Sequence, residues 1–161
     1  MTPQELSQAL RIRRLREERA ERALAAARNT RDQAAGVVSQ AKGKLVAFDH
    51  KLESSLRAFE ERTSKGVNPA AIEQMKGFHA DQLKLREDYV GAIANAQVEL
   101  ARTQAQMDET RAHWQRAFNA AENLQGLSDK SELDAKREDD RRAESEIDEI
   151  FGSLANRRLG G

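Results

Sequence analysis

Apolar residues recur in steps of three and four along both halves of the chain, and this repeat constrains the fold more than any other feature. Such spacing makes a narrow apolar seam along one side of an α-helix, which is typical of coiled coils. In the first half the seam positions are Leu10, Arg13, Glu17, Ala20, Leu24, Ala27, Arg31, Ala34, Val38, Ala41, Leu45, Phe48, Leu52, Ser55 and Phe59. In the second half they are Tyr89, Ile93, Ala96, Leu100, Thr103, Met107, Thr110, Trp114, Ala117, Ala121 and Leu124. The chain is therefore predicted to be all-α.

Helix-end signals divide the repeat into two helices. The segment Thr2–Glu5 offers a capping threonine, a proline suited to the first helical position, and a glutamate that completes a capping box. Gly66 can end a helix in a left-handed conformation, and Asn68, followed by proline, can cap the next helix. We predict a single domain over 1–161 with a helix over 3–64, a turn over 65–68, a helix over 69–151 and a short tail over 155–161.

The two seams coincide if the chain folds back on itself in an antiparallel hairpin. Facing residue numbers then sum to about 134, so that Leu45 faces Tyr89 and Ala20 faces Trp114. A parallel dimer of one continuous helix is disfavoured, because Gly66 and the proline at 69 would interrupt it. The second helix is the longer one, and from about residue 131 it has no partner in the hairpin. We therefore expect a long antiparallel two-helix coiled-coil hairpin with a C-terminal helical overhang.

The charges are balanced in number but not in position. The chain has 27 Lys and Arg and 27 Asp and Glu, which gives a formal net charge of zero. Residues 1–31 nevertheless contain eight arginines and four glutamates, and residues 132–150 contain nine acidic and four basic residues. Both segments lie at the end of the hairpin away from the turn. They can be solvated helix faces, or they can pair with each other or with a partner. Zero net charge and 4% aromatic residues argue against nucleic-acid binding.

Two apolar surfaces lie off the predicted seam. The overhang surface consists of Ile147, Ile150, Phe151 and Leu154. This i, i+3, i+4, i+7 spacing places them on one helix face, which either folds back onto the base of the hairpin or docks into a partner. A weaker surface near the turn consists of Val46, Phe78, Leu85 and Val90. A slip in the phase of the seam between His79 and Arg86 would explain this second surface structurally.

The sequence contains no recognisable catalytic or metal site. Without cysteine it has no disulfide, thiolate zinc site or cysteine nucleophile. Its three histidines form no metal-binding motif, and phosphate-loop, dinucleotide-binding and nucleophile-elbow motifs are absent from the sequence. The uncharged run Tyr89–Val98 is too short to cross a membrane. We therefore expect a cytoplasmic protein that is not an enzyme, needs no cofactor and does not insert into the membrane.

The layout of the chain resembles the FliJ/YscO family, the central stalk proteins of type III secretion systems. The resemblance rests on the Arg-rich opening between Leu10 and Leu24, which reads LRIRRLREERAERAL, and on a turn near the middle. It also rests on a long second helix with an aromatic residue late in it, Trp114, and a charged end. Generic coiled-coil scaffolds and chaperone-like adaptors share part of this layout and form the alternative class.

The resemblance implies a function and partners. Such stalk proteins insert the end carrying both termini into a hexameric secretion ATPase and promote its activity. They also link it to the cytoplasmic domain of the export gate, and some bind export chaperones. A flagellar system and an injectisome are equally compatible with it. For this chain the resemblance implies a monomer that is peripheral to the inner-membrane secretion apparatus. Its implied ring-facing residues are Arg11, Arg13, Arg14, Arg16, Arg19, Ile147, Ile150, Phe151 and Leu154, and its implied gate-facing residues are Val46, His50 and Phe78.

Overall fold

The protein consists of two long α-helices that pack against each other. The structure is a computed structural model that describes residues 1–66 and 68–160. Helix α1 spans Pro3–Thr63 and helix α2 spans Pro69–Leu159. The described residues contain no β-strand. Contacts between the helices join residues far apart in the chain, as in the ion pair between Arg14 and Glu122. The predicted all-α helical hairpin is confirmed.

Both helix starts are capped as the sequence predicts. The backbone N–H of Thr2 donates to Glu5 Oε2 at 2.8 Å, and the N–H of Glu5 donates to Thr2 Oγ1 at 3.2 Å. This is the reciprocal capping box, which satisfies backbone donors that the first helical turn leaves free. At the start of α2, Asn68 Oδ1 accepts a hydrogen bond from the N–H of Ala70 at 3.1 Å. Of the predicted turn over 65–68, Val67 lies outside the described residues.

Gly66 follows the end of α1 with a φ of 133°, which residues with a side chain rarely adopt. We expect Gly66→Ala to destabilise the protein by about 1–3 kcal/mol, because the alanine has to hold a strained backbone conformation. Gly43→Ala is the matched control, since Gly43 lies within α1 and has open space around its Cα. This control should stabilise the protein by about 0.5–1 kcal/mol. Urea unfolding followed by circular dichroism measures both. Equal effects of the two substitutions would contradict the assigned backbone conformation.

The predicted C-terminal boundary is wrong. Helix α2 continues to Leu159 instead of ending at 151, so residues 155–159 of the expected tail are helical. Gly161 lies outside the described residues. The physical reason is that this segment lacks a strong helix breaker and carries Arg157 and Arg158 in its last turn, where positive charge favours a helix C-terminus. Helix α1 ends at Thr63, one residue before its predicted end.

Contacts divide the chain into two compact units, and the single domain over 1–161 stays a prediction. The terminal unit comprises Met1–Arg22 and Ala112–Gly161, and the turn unit comprises Ala23–Arg111. Each unit therefore contains a part of α1 and a part of α2. Each unit has its own buried seam residues. In the terminal unit these include Leu6, Ala20 and Ala121.

The predicted seam agrees closely with the observed burial. Every predicted seam residue of the second half is buried or half-buried. In the first half this holds for all but Arg13 and Ser55, which are exposed, while the next residues, Arg14 and Leu56, are half-buried in their place. At these two points the seam takes a step of four where a step of three was predicted. The predicted slip after His79 is also wrong, because the half-buried positions continue without interruption through the polar residue Gln82.

The register between the helices differs slightly from the predicted one. In the turn unit, Arg86 Nε and Nη2 donate to the two carboxylate oxygens of Asp49 at 2.9 and 3.2 Å. The rings of Phe48 and Tyr89 lie 5.0 Å apart, so Tyr89 meets Phe48 where Leu45 was expected. These two pairs sum to 135 and 137, against the predicted 134. The difference arises because the geometry of the turn, which the seam pattern does not encode, sets the offset. The hydrogen bonds from Arg86 lower the pKa of Asp49.

Candidate partner-binding surfaces

In the Arg-rich segment of the terminal unit, two glutamates neutralise the charge of Arg14. Arg14 is partly exposed, and its Nη1 donates to Glu17 Oε2 at 2.8 Å while its Nη2 donates to Glu122 Oε1 at 2.9 Å. The hydrogen bonds from Arg14 to Glu17 and then Glu122 raise the pKa of the guanidinium, so Arg14 stays charged while its charge is balanced locally. Of the predicted ring-facing arginines, Arg14 is thus engaged within the hairpin.

Other arginines of the same segment line a groove with no acidic residue. We call it the basic groove and define it by Arg13, Arg16, Arg19, His113 and Arg116, with Ala117 and Ala120 as its floor. Its volume is about 330 Å³. Within the described part of the chain, none of its four arginines has a carboxylate oxygen within 4.0 Å. The groove therefore carries positive charge that the protein does not compensate locally.

The structure brings together three of the five predicted ring-facing arginines. Arg13, Arg16 and Arg19 share the basic groove, whereas Arg11 is exposed and does not line it. The contribution of Arg116 from α2 was missed by the sequence analysis. A signal for it existed, because the predicted register places Arg116 opposite residue 18, within one helical turn of Arg16 and Arg19.

The overhang is a solvent-exposed helix. Every residue from 132 to 160 is exposed, and α2 continues through this segment, so the fold-back alternative does not occur in the structure. Its apolar surface is formed by Ile147, Ile150, Phe151 and Leu154, which are 51%, 59%, 66% and 49% exposed. If the seam repeat of three and four residues is continued beyond Ser131, residues 145 and 149 occupy seam positions. Ile147 lies two residues from each of them, about 200° around the helix. The apolar surface therefore lies on the side of α2 opposite to its seam.

Of the predicted gate-facing residues, Phe78 lines a groove and the other two lie beside it on α1. Phe78 lines a shallow groove together with Ser54, Ser55 and Arg62, and it is 41% exposed. Val46 and His50 are exposed and do not line that groove. These residues lie on α1 about one and two turns before Ser54. Val46 and His50 are therefore neighbours on one face of α1, and Ser54, at the groove, is the next residue along that face.

A larger apolar groove of the turn unit was missed by the sequence analysis. It has a volume of about 530 Å³, and we call it the turn groove. Its apolar lining consists of Leu56, Phe59, Ile72, Met75, Ala80 and Leu83, and its polar lining consists of Glu60, Lys76 and His79. The groove was not predicted because a slip in the seam was expected near His79. Because Gln82 occupies a seam position, Leu83 lies next to the seam, and its side chain lines this groove.

Residues 1–66 and 68–160 contain neither a candidate metal site nor a candidate membrane span. No group of three or more His, Asp or Glu side chains there could hold a metal ion. None of the helices formed by these residues is both long and apolar enough to cross a membrane. The surfaces described above are candidates for binding to another molecule.

Comparison with known proteins identifies the family. The family model described as Flagellar FliJ protein matches residues 3–160, which is nearly the whole chain. Comparison with curated proteins and with solved structures gives no match. The family match confirms the resemblance found in the sequence, which rested on the Arg-rich opening, the central turn and the long second helix. The chain therefore belongs to the FliJ family, whose members are components of the flagellar and type III export apparatus.

Proposed function

We propose that this protein is a central stalk of a type III secretion apparatus. Its terminal unit inserts into the hexameric secretion ATPase and promotes ATP hydrolysis, and its turn unit contacts the cytoplasmic domain of the export gate. Family membership supplies the setting. The observation that carries the proposal is the exposed overhang with its apolar surface. This segment of α2 extends beyond the part of the helix that forms the hairpin.

The overhang has the properties of a docking helix. Apolar side chains that are half to two-thirds exposed on one face of a helix lose solvent contact when they enter a partner groove, which favours binding. Because this surface lies opposite to the seam, α1 does not compete with the partner for it. A ring that surrounds the overhang would contact it on this free side.

The charges of the terminal unit suit a stalk in a six-subunit ring. Such a stalk must present different faces to different subunits, since a ligand shifts an equilibrium only through differential contacts with the states involved. Arg14 is neutralised by Glu17 and Glu122, whereas the basic groove has no local acidic partner. Neighbouring ring subunits would therefore meet surfaces of different charge.

The turn unit provides the surface that we assign to the export gate. Val46, His50 and Phe78 stay proposed contacts, and the turn groove adds an apolar concavity of the kind that accepts an amphipathic helix. An export chaperone is a second partner that the same groove would suit. Since the stalk contributes contacts only, the nucleotide chemistry belongs to the ring and the protein itself is not an enzyme. We place it in the cytoplasm, as a monomer peripheral to the inner membrane.

Hydrolysis by a purified hexameric secretion ATPase tests this function. We expect the full chain to raise kcat several-fold, because its terminal unit favours the assembled and active ring. Leu83→Asp is the control, since Leu83 lies in the turn groove and should not contact the ring. A generic scaffold or adaptor would leave the ATPase unchanged. Unchanged hydrolysis at saturating protein would contradict the proposed function.

A further inference from the structure

We propose that the basic groove of the terminal unit is a binding site for a small multivalent anion of the phosphate class, such as triphosphate or the phosphate chain of a nucleotide. This inference goes beyond the stalk function and does not depend on it. It concerns a ligand of the isolated chain, and it rests on the charge, the donors and the size of the groove.

The charge of the groove is the first argument. Four guanidinium groups line one concavity, and the described carboxylates of the chain leave all four without an ion-pair partner. In the same segment, by contrast, Arg14 forms ion pairs with two glutamates. Like charges held together raise the energy of the empty groove, and a bound polyanion relieves this repulsion.

The donors of the groove are the second argument. Apart from His113 and the two alanines, every residue that lines it is arginine. Guanidinium is planar, keeps its charge at all accessible pH values and presents several N–H donors in a fixed fork. This geometry matches the oxygens of a phosphate group, with two parallel hydrogen bonds to one guanidinium. Several forks directed at one concavity can bind several phosphate groups of one ligand.

The size and the floor of the groove are the third argument. A volume of about 330 Å³ falls at the lower end of the range for small-molecule sites. The only apolar side chains in the lining are Ala117 and Ala120. An apolar anchor residue of a protein partner would find only these two alanines to pack against in the groove. A compact, highly charged ligand therefore fits better than an acidic helix.

Isothermal titration of the full chain with inorganic triphosphate tests the site. We expect one triphosphate per chain, with an affinity that falls as the salt concentration rises. The variant Arg16→Ala with Arg116→Ala should bind at least about tenfold more weakly, because it removes one charged donor from each helix. The matched control is Arg11→Ala with Arg22→Ala, which removes the same charge from the same unit outside the groove. Circular dichroism checks that all variants keep their helix content.

Two further ligands separate the possible sources of the phosphate groups. ATP should bind with an affinity similar to that of triphosphate, if the groove recognises phosphate groups and not the base. Vesicles containing anionic phospholipid test a lipid headgroup as the source. The proposal is overturned if the groove variant and the control variant bind triphosphate equally. It is also overturned if neither triphosphate nor ATP binds, whether or not the vesicles do.

Discussion

Replacing Ile147 and Phe151 together with aspartate should abolish the stimulation of a secretion ATPase and leave the hairpin folded. Both side chains are more than half exposed in the free protein, so the fold loses little when they change. In the complex they would enter an apolar groove of the ring. Two buried aspartates without partners are costly there, which should weaken binding by at least about a hundredfold.

The control for this variant is Val37→Asp with Val98→Asp. These residues are 54% and 71% exposed and lie in the turn unit, outside the part of the chain that is proposed to enter the ring. This control should stimulate as the unmodified protein does. Ending the chain after Ser131 removes the exposed segment as a whole and should also abolish stimulation, with the helix content of the remaining hairpin retained. Normal stimulation by either the double aspartate variant or the shortened chain would show that the overhang is not the docking element.

Leu24→Ala should cost about 2–4 kcal/mol of the free energy of unfolding. Leu24 is only 4% exposed in the seam of the turn unit. Removing its side chain loses apolar burial and leaves a cavity that two long helices can close only in part. Because small proteins are stable by about 5–15 kcal/mol, this is a large fraction of the total.

The same substitution at an exposed leucine of α1 is the matched control. Leu15 is 48% exposed, and Leu15→Ala should change stability by less than about 0.5 kcal/mol, since alanine also favours the helix. Guanidinium unfolding followed by circular dichroism measures the difference. Similar midpoints for the two variants would contradict the assignment of Leu24 to the seam.

The parts of the fold that were predictable from the sequence depend on local chemistry. The capping box between Thr2 and Glu5 and the cap at Asn68 join groups two or three residues apart, so residue types alone identify them. The seam of α2 was predictable because a repeat of three and four residues reports one side of a helix directly. The apolar surface of the overhang was visible for the same reason.

The parts that were not predictable depend on contacts between distant segments. Tyr89 packs on Phe48 because the turn fixes an offset that neither seam encodes. The basic groove combines Arg116 of α2 with Arg16 of α1. Residue spacing within one helix does not reveal this pairing, and the predicted register between the helices gave its only signal. The turn groove was missed because a polar residue, Gln82, occupies a seam position and looked like a break in the pattern.

Site-specific crosslinking tests the central claim that the terminal unit is the end that enters the ring. The sequence has no cysteine, so a single introduced cysteine can carry a photoreactive group at one chosen position. Phe151→Cys and Val46→Cys place this group on exposed sites of the terminal unit and the turn unit. With the hexameric ATPase present, we predict crosslinks to the ring from position 151 and none from position 46. Crosslinks from position 46 and none from position 151 would contradict the proposed orientation.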